Sequence, residues 1–123
     1  MSLNVRELLL KPLETPTEVV QLPELGDGVS VTVKGMNAKE KGAYDMQFVK
    51  KGEHDVARQR QMRERMLVAC CIDDNGNRLF TADDVAALGL QSVFLIDRIF
   101  AACKRVNGDD EDAEKKSDQT DAT

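Results

Sequence analysis

Histidine is nearly absent. The one example, His54, lies in a polar stretch, so a triad built on imidazole or a site with several histidine ligands cannot form within one chain. There is no C-x-x-C pair, which speaks against a zinc site. Neither G-x-G-x-x-G nor G-x-x-x-x-G-K-[ST] occurs, which removes the usual glycine loops for dinucleotides and nucleotide phosphates. Long apolar runs are missing too. The longest, MLVACCI, is far too short to cross a bilayer. The opening MSLNVRELLLKP has no basic lead and no sustained apolar region, so no secretory signal is expected. A basic excess, which neutralising nucleic-acid phosphates requires, is also lacking: the net charge is -5.

What is present is the composition of a soluble globular domain, with 41% hydrophobic and 32% charged residues in a chain of 123. That length suits one modest core. Cys70, Cys71 and Cys103 are odd in number and two are adjacent in an apolar run, which fits reduced, buried thiols in a cytosolic protein. The acidity is confined to one end. From Gly108 onward, GDDEDAEKKSDQTDAT carries seven acids and two lysines, whereas residues 1–107 hold fifteen of each sign. The expectation is a single folded domain over 1–107 and a disordered acidic tail over 108–123, which has too little apolar surface to offset its ordering entropy.

Residues 3–10 read as a short helix stopped by Pro12. GVSVTVKG alternates, with Val29, Val31 and Val33 on one face, and pairs with TEVVQL across PELGDG as a small antiparallel hairpin. Two strands alone are marginal, so helices must cover the valine face. Asn37, with Glu40 three residues on, signals a capping box and a helix reaching about Lys50. A second helix is expected over about Glu53 to Cys71. Thr81 and Asp84 open a short helix stopped by Gly89, and a last, strongly apolar helix runs from about Gln91 to Val106. Any apolar side chain left exposed on that last helix would be a contact surface.

The stretch CCIDDNGNRLF raises two readings. Asp73, Asn75 and Asn77 alternate like the oxygen ligands of a calcium loop, but such a loop needs glycine at its sixth position and a bidentate glutamate at its twelfth. Counted from Asp73 those positions are Arg78 and Asp84. Asn75-Gly76 is instead the preferred dipeptide of a two-residue type I′ turn, so a hairpin is expected, with IDD and NRL as its arms. Two nucleic-acid readings also arise. RQRQMRERM places Arg58, Arg60, Arg63 and Arg65 within eight residues, yet acids share the helix and no aromatic interleaves to stack bases. A solvated face laced with ion pairs is the plainer account. FTADDVAALGLQSVFLIDRIF could be a helix-turn-helix, but its second helix is too apolar for a groove. The fold class expected is α+β: a mainly α-helical domain with a small N-terminal β-hairpin and a short second hairpin at Asn75-Gly76. By composition and motif the function is a non-enzymatic interaction module, with no cofactor and no membrane.

Three pieces in order go further: VVQLPELGDGVSVTVKGMNAKEK, then MRERMLVACCIDDNGNRLFTADDVAALGLQSVFLIDRIFAACKRVNG, then a short hydrophilic tail. Over most of residues 5–108, and above all from Arg65 through Gly89, the chain resembles the tail assembly chaperones of long, flexible-tailed (siphovirus-type) bacteriophages and their prophages. That resemblance implies a protein of the bacterial host cytoplasm, absent from the mature virion. It implies homo-oligomers that bind the largely helical tape measure protein and help recruit the major tail protein. It also implies a longer product made by ribosomal frameshifting, for which the Glu114-Lys115-Lys116 codons offer a run of adenines. The alternative from the residues is a small regulatory or nucleic-acid-binding adaptor using the Arg58–Arg65 helix.

Candidate partner-binding residues are Tyr44, Met46 and Phe48 beside the Lys50-Lys51-Gly52 break, together with Met62 and Met66. Their side chains are apolar, and the methionines are adaptable enough for a partner with many similar registers. The competing account is that all five pack in the monomer core.

Overall fold

The computed structural model describes residues 4–109; the expected acidic tail and the frameshift position fall outside them, save for Gly108 and Asp109. Helix α1 (Val5–Leu10) is capped by Asn4, whose Oδ1 accepts the Glu7 N–H at 3.3 Å. It ends at Lys11, which Pro12 forces into an extended conformation. None of its residues is buried.

Strand β1 (Thr17–Gln21) and strand β2 (Ser30–Lys34) run antiparallel, with Val19 opposite Thr32 and Val20 opposite Val31. A 3-10 turn (Pro23–Leu25) joins them. The expected hairpin is therefore present, but it gains a third member. Strand β5 (Cys71–Ile72) pairs antiparallel with β2, so the sheet order is β1-β2-β5 and β2 is central. Val31 and Val33 turn inward, as the alternation requires, and Val29 is half-buried.

Helix α2 (Ala38–Met46) opens with the capping box expected at Asn37 and Glu40, bonded both ways at 2.8 and 3.0 Å. It stops at Met46 rather than near Lys50, because Val49–Lys50 (β3) pairs with Glu53–His54 (β4). The two residues between them, Lys51 and Gly52, both sit at positive φ, 52° and 78°. That is the type I′ requirement, met at Lys-Gly instead of Asn-Gly. The second expected helix is two pieces, α3 (Val56–Gln59) and α4 (Met62–Cys70), broken at Arg60-Gln61.

The Asn75-Gly76 region does turn the chain, with a different geometry from that expected. Gly76 is at φ 83° but Asn75 is not left-handed. The Gly76 N–H donates to Asp73 O (3.0 Å) and the Asp73 N–H donates to Asn77 O (2.8 Å), leaving Asp74, Asn75 and Gly76 as a three-residue loop. Only Ile72 and Arg78 pair beyond it, as a single bridge, so the arms are shorter than IDD and NRL. Asp73 explains the preference: its Oδ1 accepts the N–H groups of both Asn75 (2.8 Å) and Asn77 (3.0 Å), an Asx turn that fixes the loop without positive φ at Asn75.

Asp84 Oδ2 reaches back to the Thr81 N–H at 2.8 Å and opens α5 (Val85–Leu88) through a 3-10 turn. Helix α6 (Val93–Val106) is the central one. Leu95, Ile96, Ile99, Ala102, Cys103 and Val106 form its buried stripe, at helical spacing. They cover the sheet and pack against Met66, Leu67 and Cys70 of α4. Cys70, Cys71 and Cys103 are free and buried at this junction, as expected.

Candidate partner-binding groove

An open groove of about 440 Å³ lies between α2, the start of α4 and the C-terminal half of α6. Tyr44, Phe48, Met62, Met66 and Phe100 form its apolar walls. Four of the five residues singled out in the sequence therefore meet at one place. Met46 does not: it is 66% exposed and faces away from the groove. One helical turn separates Tyr44 from Phe48 in sequence, but Met46 is two residues from either and so falls on another face.

The four that meet are not equivalent. Tyr44 is 5% exposed and Met66 8%, so both belong to the core as much as to the groove. The Tyr44 hydroxyl donates to Met62 O at 3.3 Å, and its ring meets Phe48 edge-on at 5.0 Å. Burial, with the Asp45 carboxylate nearby, pushes the Tyr44 phenol up to about 12, so it stays protonated. Met62 is exposed and Phe48 half-buried against the core edge, which makes these two the reachable ones of the four. Met66 is held by the Cys70 thiol, which donates to Met66 Sδ at 3.5 Å. The neighbouring Cys70 and Cys71 sulfurs, together with burial, hold the Cys103 thiol above the ordinary thiol range. It is a packing residue rather than a nucleophile.

Asn107 closes one end. Its Oδ1 accepts the Met36 N–H at 2.7 Å and its amide donates to Cys103 O at 2.7 Å. The rim carries both signs: Lys41, paired with Asp45, stands 5.5 Å from the Tyr44 ring centroid, and Lys104 stands 5.9 Å from that of Phe100. An apolar floor with a mixed-charge rim is what an amphipathic helix presents in reverse. Met36, Phe100, Lys104 and Asn107 were not among the candidates that the sequence offered. Phe100 lies on the flank of the α6 stripe, and the excess width of that stripe was the available signal.

A second groove, about 320 Å³, opens at the other end of the β1–β2 hairpin, and the sequence did not reveal it. Leu22, Leu25, Val29, Leu79, Phe80 and Leu88 line its sides and Leu95 its floor; no ionisable residue contributes. Val93 and Phe94, at the start of α6, are exposed.

The arginine run is largely engaged. Arg63 Nη1 donates to Asp97 of α6 at 2.7 Å, Arg65 donates to Gln61 and Gln47, and Arg58 donates to Gln47 O. Arg58 also pairs with Asp55 three residues before it, as expected of such a face, while Arg63 and Arg65 reach other elements as well. His54 is exposed, with Nδ1 2.8 Å from Gln59 Nε2. Among the described residues, no group of three or more His, Cys, Asp or Glu is placed to hold a metal ion. No helix among them is long and apolar enough to cross a membrane.

No protein-family model matches the chain, and no curated protein does. Among solved structures, the chain is similar to the tail assembly chaperone of bacteriophage HK97, with a TM-score of 0.55 over 81% of this chain and 90% of that one. At 14% identity the likeness is one of fold.

Proposed function

We propose that this chain is a tail assembly chaperone of a long-tailed bacteriophage or prophage, acting by binding alone. In the host cytoplasm it would cover amphipathic helices of the tape measure protein, keep them soluble while the tube assembles with the major tail protein, and leave before the virion is complete. It would do so as a homo-oligomer. The observation that carries this reading is the fold shared with the HK97 chaperone over nine-tenths of that chain. The groove supports it: Phe48 and Met62 offer accessible apolar and unbranched side chains over a floor of Tyr44 and Met66, beneath charges of both signs.

The test is co-expression with a tape measure protein, the long helical partner that this reading requires. The wild-type chain is expected to hold that partner in the soluble fraction. A Phe48→Ser, Met62→Ser double variant should lose this ability while its circular dichroism stays unchanged. Tyr44 is unsuited to such a test, because its burial makes Tyr44→Ser a folding variant. A wild-type chain that leaves the partner insoluble would end the chaperone reading. The adaptor alternative requires salt-dependent retention on nucleic acid. None is expected, since Arg58, Arg63 and Arg65 are already tied to groups of the same chain.

A further inference from the structure

Helix α1 is built to be covered, and none of the described residues covers its apolar side. Val5, Leu8 and Leu9 form a stripe at the i, i+3, i+4 spacing. With Leu10 and Leu13 they make five large apolar side chains in nine residues, all exposed: Leu9 is 78% and Leu13 91% accessible. The segment that follows, KPLETP, contains two prolines, which stiffen and extend it. Its far end is pinned where the Gly35 N–H donates to Pro16 O at 2.9 Å.

The uncharged groove between Leu25, Val29, Leu79 and Leu88, to which Ser30 and Gln91 add two neutral polar side chains, suits this stripe, because neither carries a charge at its centre. It opens at the other end of the hairpin from that pin, since Leu22 and Val29 close the loop end of β1 and β2. Six residue steps of extended chain, from Pro16 to Leu22, put roughly 20 Å between the pin and the groove. To fill its own groove the arm would have to double back along the whole hairpin against a proline-stiffened linker. Another copy can meet it without that constraint.

We propose that α1 of one copy docks its Val5, Leu8 and Leu9 face into the Leu25–Leu79–Leu88 groove of a second copy. Arm and groove are different surfaces of the same chain, so the contact is head-to-tail and each copy offers a free arm or a free groove to the next. This deepens the self-association included in the proposed function. It uses neither Phe48 nor Met62, and its test reads the isolated chain, so failure of either proposal is distinguishable from failure of the other.

The test is sedimentation velocity of the full chain over a range of concentrations. The wild-type mass should rise with concentration. A Leu8→Ser, Leu9→Ser arm variant and a Leu25→Glu groove variant, with Leu79→Ser as a second groove variant, should each weaken association roughly tenfold or more with unchanged circular dichroism. An equimolar mixture of arm and groove variants should form pairs and stop there, because pairing uses the one working arm and the one working groove and leaves only the mutated arm and groove free. A wild-type chain that stays monomeric would overturn the proposal. So would an arm variant that still associates, a mixture that does not pair, or a disulfide forming within a single chain that carries both Leu9→Cys and Leu25→Cys.

Discussion

Among the described glycines, Gly35 has the least room for a side chain. It is buried between the end of β2 and the end of α6, and a Cβ there would lie 2.5 Å from Val106 O and 3.3 Å from Thr15 Cβ. Backbone cannot yield as a flexible side chain does, so Gly35→Ala should lower stability by roughly 1–3 kcal/mol. It would be read as a lower urea midpoint at unchanged slope. Tyr44 offers a second measurement. It is the only tyrosine and there is no tryptophan, so phenolate absorbance in the near ultraviolet reports it alone. Its midpoint should fall near 12 in the folded chain and near 10 in urea, the difference arising first from burial. A group whose pKa is raised by folding favours the fold in its protonated form. The stability it contributes is therefore intact below pH 10 and is lost as pH rises toward 12. A folded-state midpoint near 10 would mean that Tyr44 is open to solvent.

At the scale of elements, legibility followed the reach of the signal. The β1–β2 hairpin was readable because Val31 and Val33 alternate with polar residues, and the start of α2 because Asn37 and Glu40 cap it locally. Both signals are complete within a few residues. The third strand was not readable: β5 is two residues long, and its pairing with Val33 depends on chain nearly forty positions away. The two turns show the same limit in a finer way. Asn75-Gly76 has the preferred composition for a type I′ turn, but Asp73 captures two amides and selects a three-residue loop. Lys51-Gly52 has an unremarkable composition and takes positive φ at both residues because β3 and β4 pair around it. Of the groove, the apolar content of Tyr44, Phe48, Met62 and Met66 was legible. That Met46 leaves it and Phe100 joins it depends on where α2 ends and how α6 is rotated, and both are tertiary outcomes.

Across the whole molecule, the hairpin is fastened to α6 by two ion pairs with both carboxylate oxygens engaged. Arg98 holds Glu24 from 2.8 Å and Arg105 holds Glu18 from 3.0 Å. The Arg98 hydrogen bonds keep the Glu24 carboxyl down at about 2, and Arg105 lowers that of Glu18. Carboxyls lowered by folding stabilise the fold above the unfolded value near 4.5 and lose that contribution as pH falls, for Glu24 through about 2. The urea midpoint should therefore decline from pH 4.5 toward 2, with a shallower decline in a Glu18→Gln, Glu24→Gln variant; equal slopes would show the pairs to be idle. The same fastening spans 87 positions between Glu18 and Arg105, and Met36 waits 71 positions for Asn107. During synthesis, then, the N-terminal hairpin leaves the ribosome with its valine face bare, and its cover is complete only when α6 has followed α4 out. A chain interrupted before α6 would have strands without the helix that covers most of their inner face, so translation that halts there should yield material for proteolysis rather than a shorter working protein.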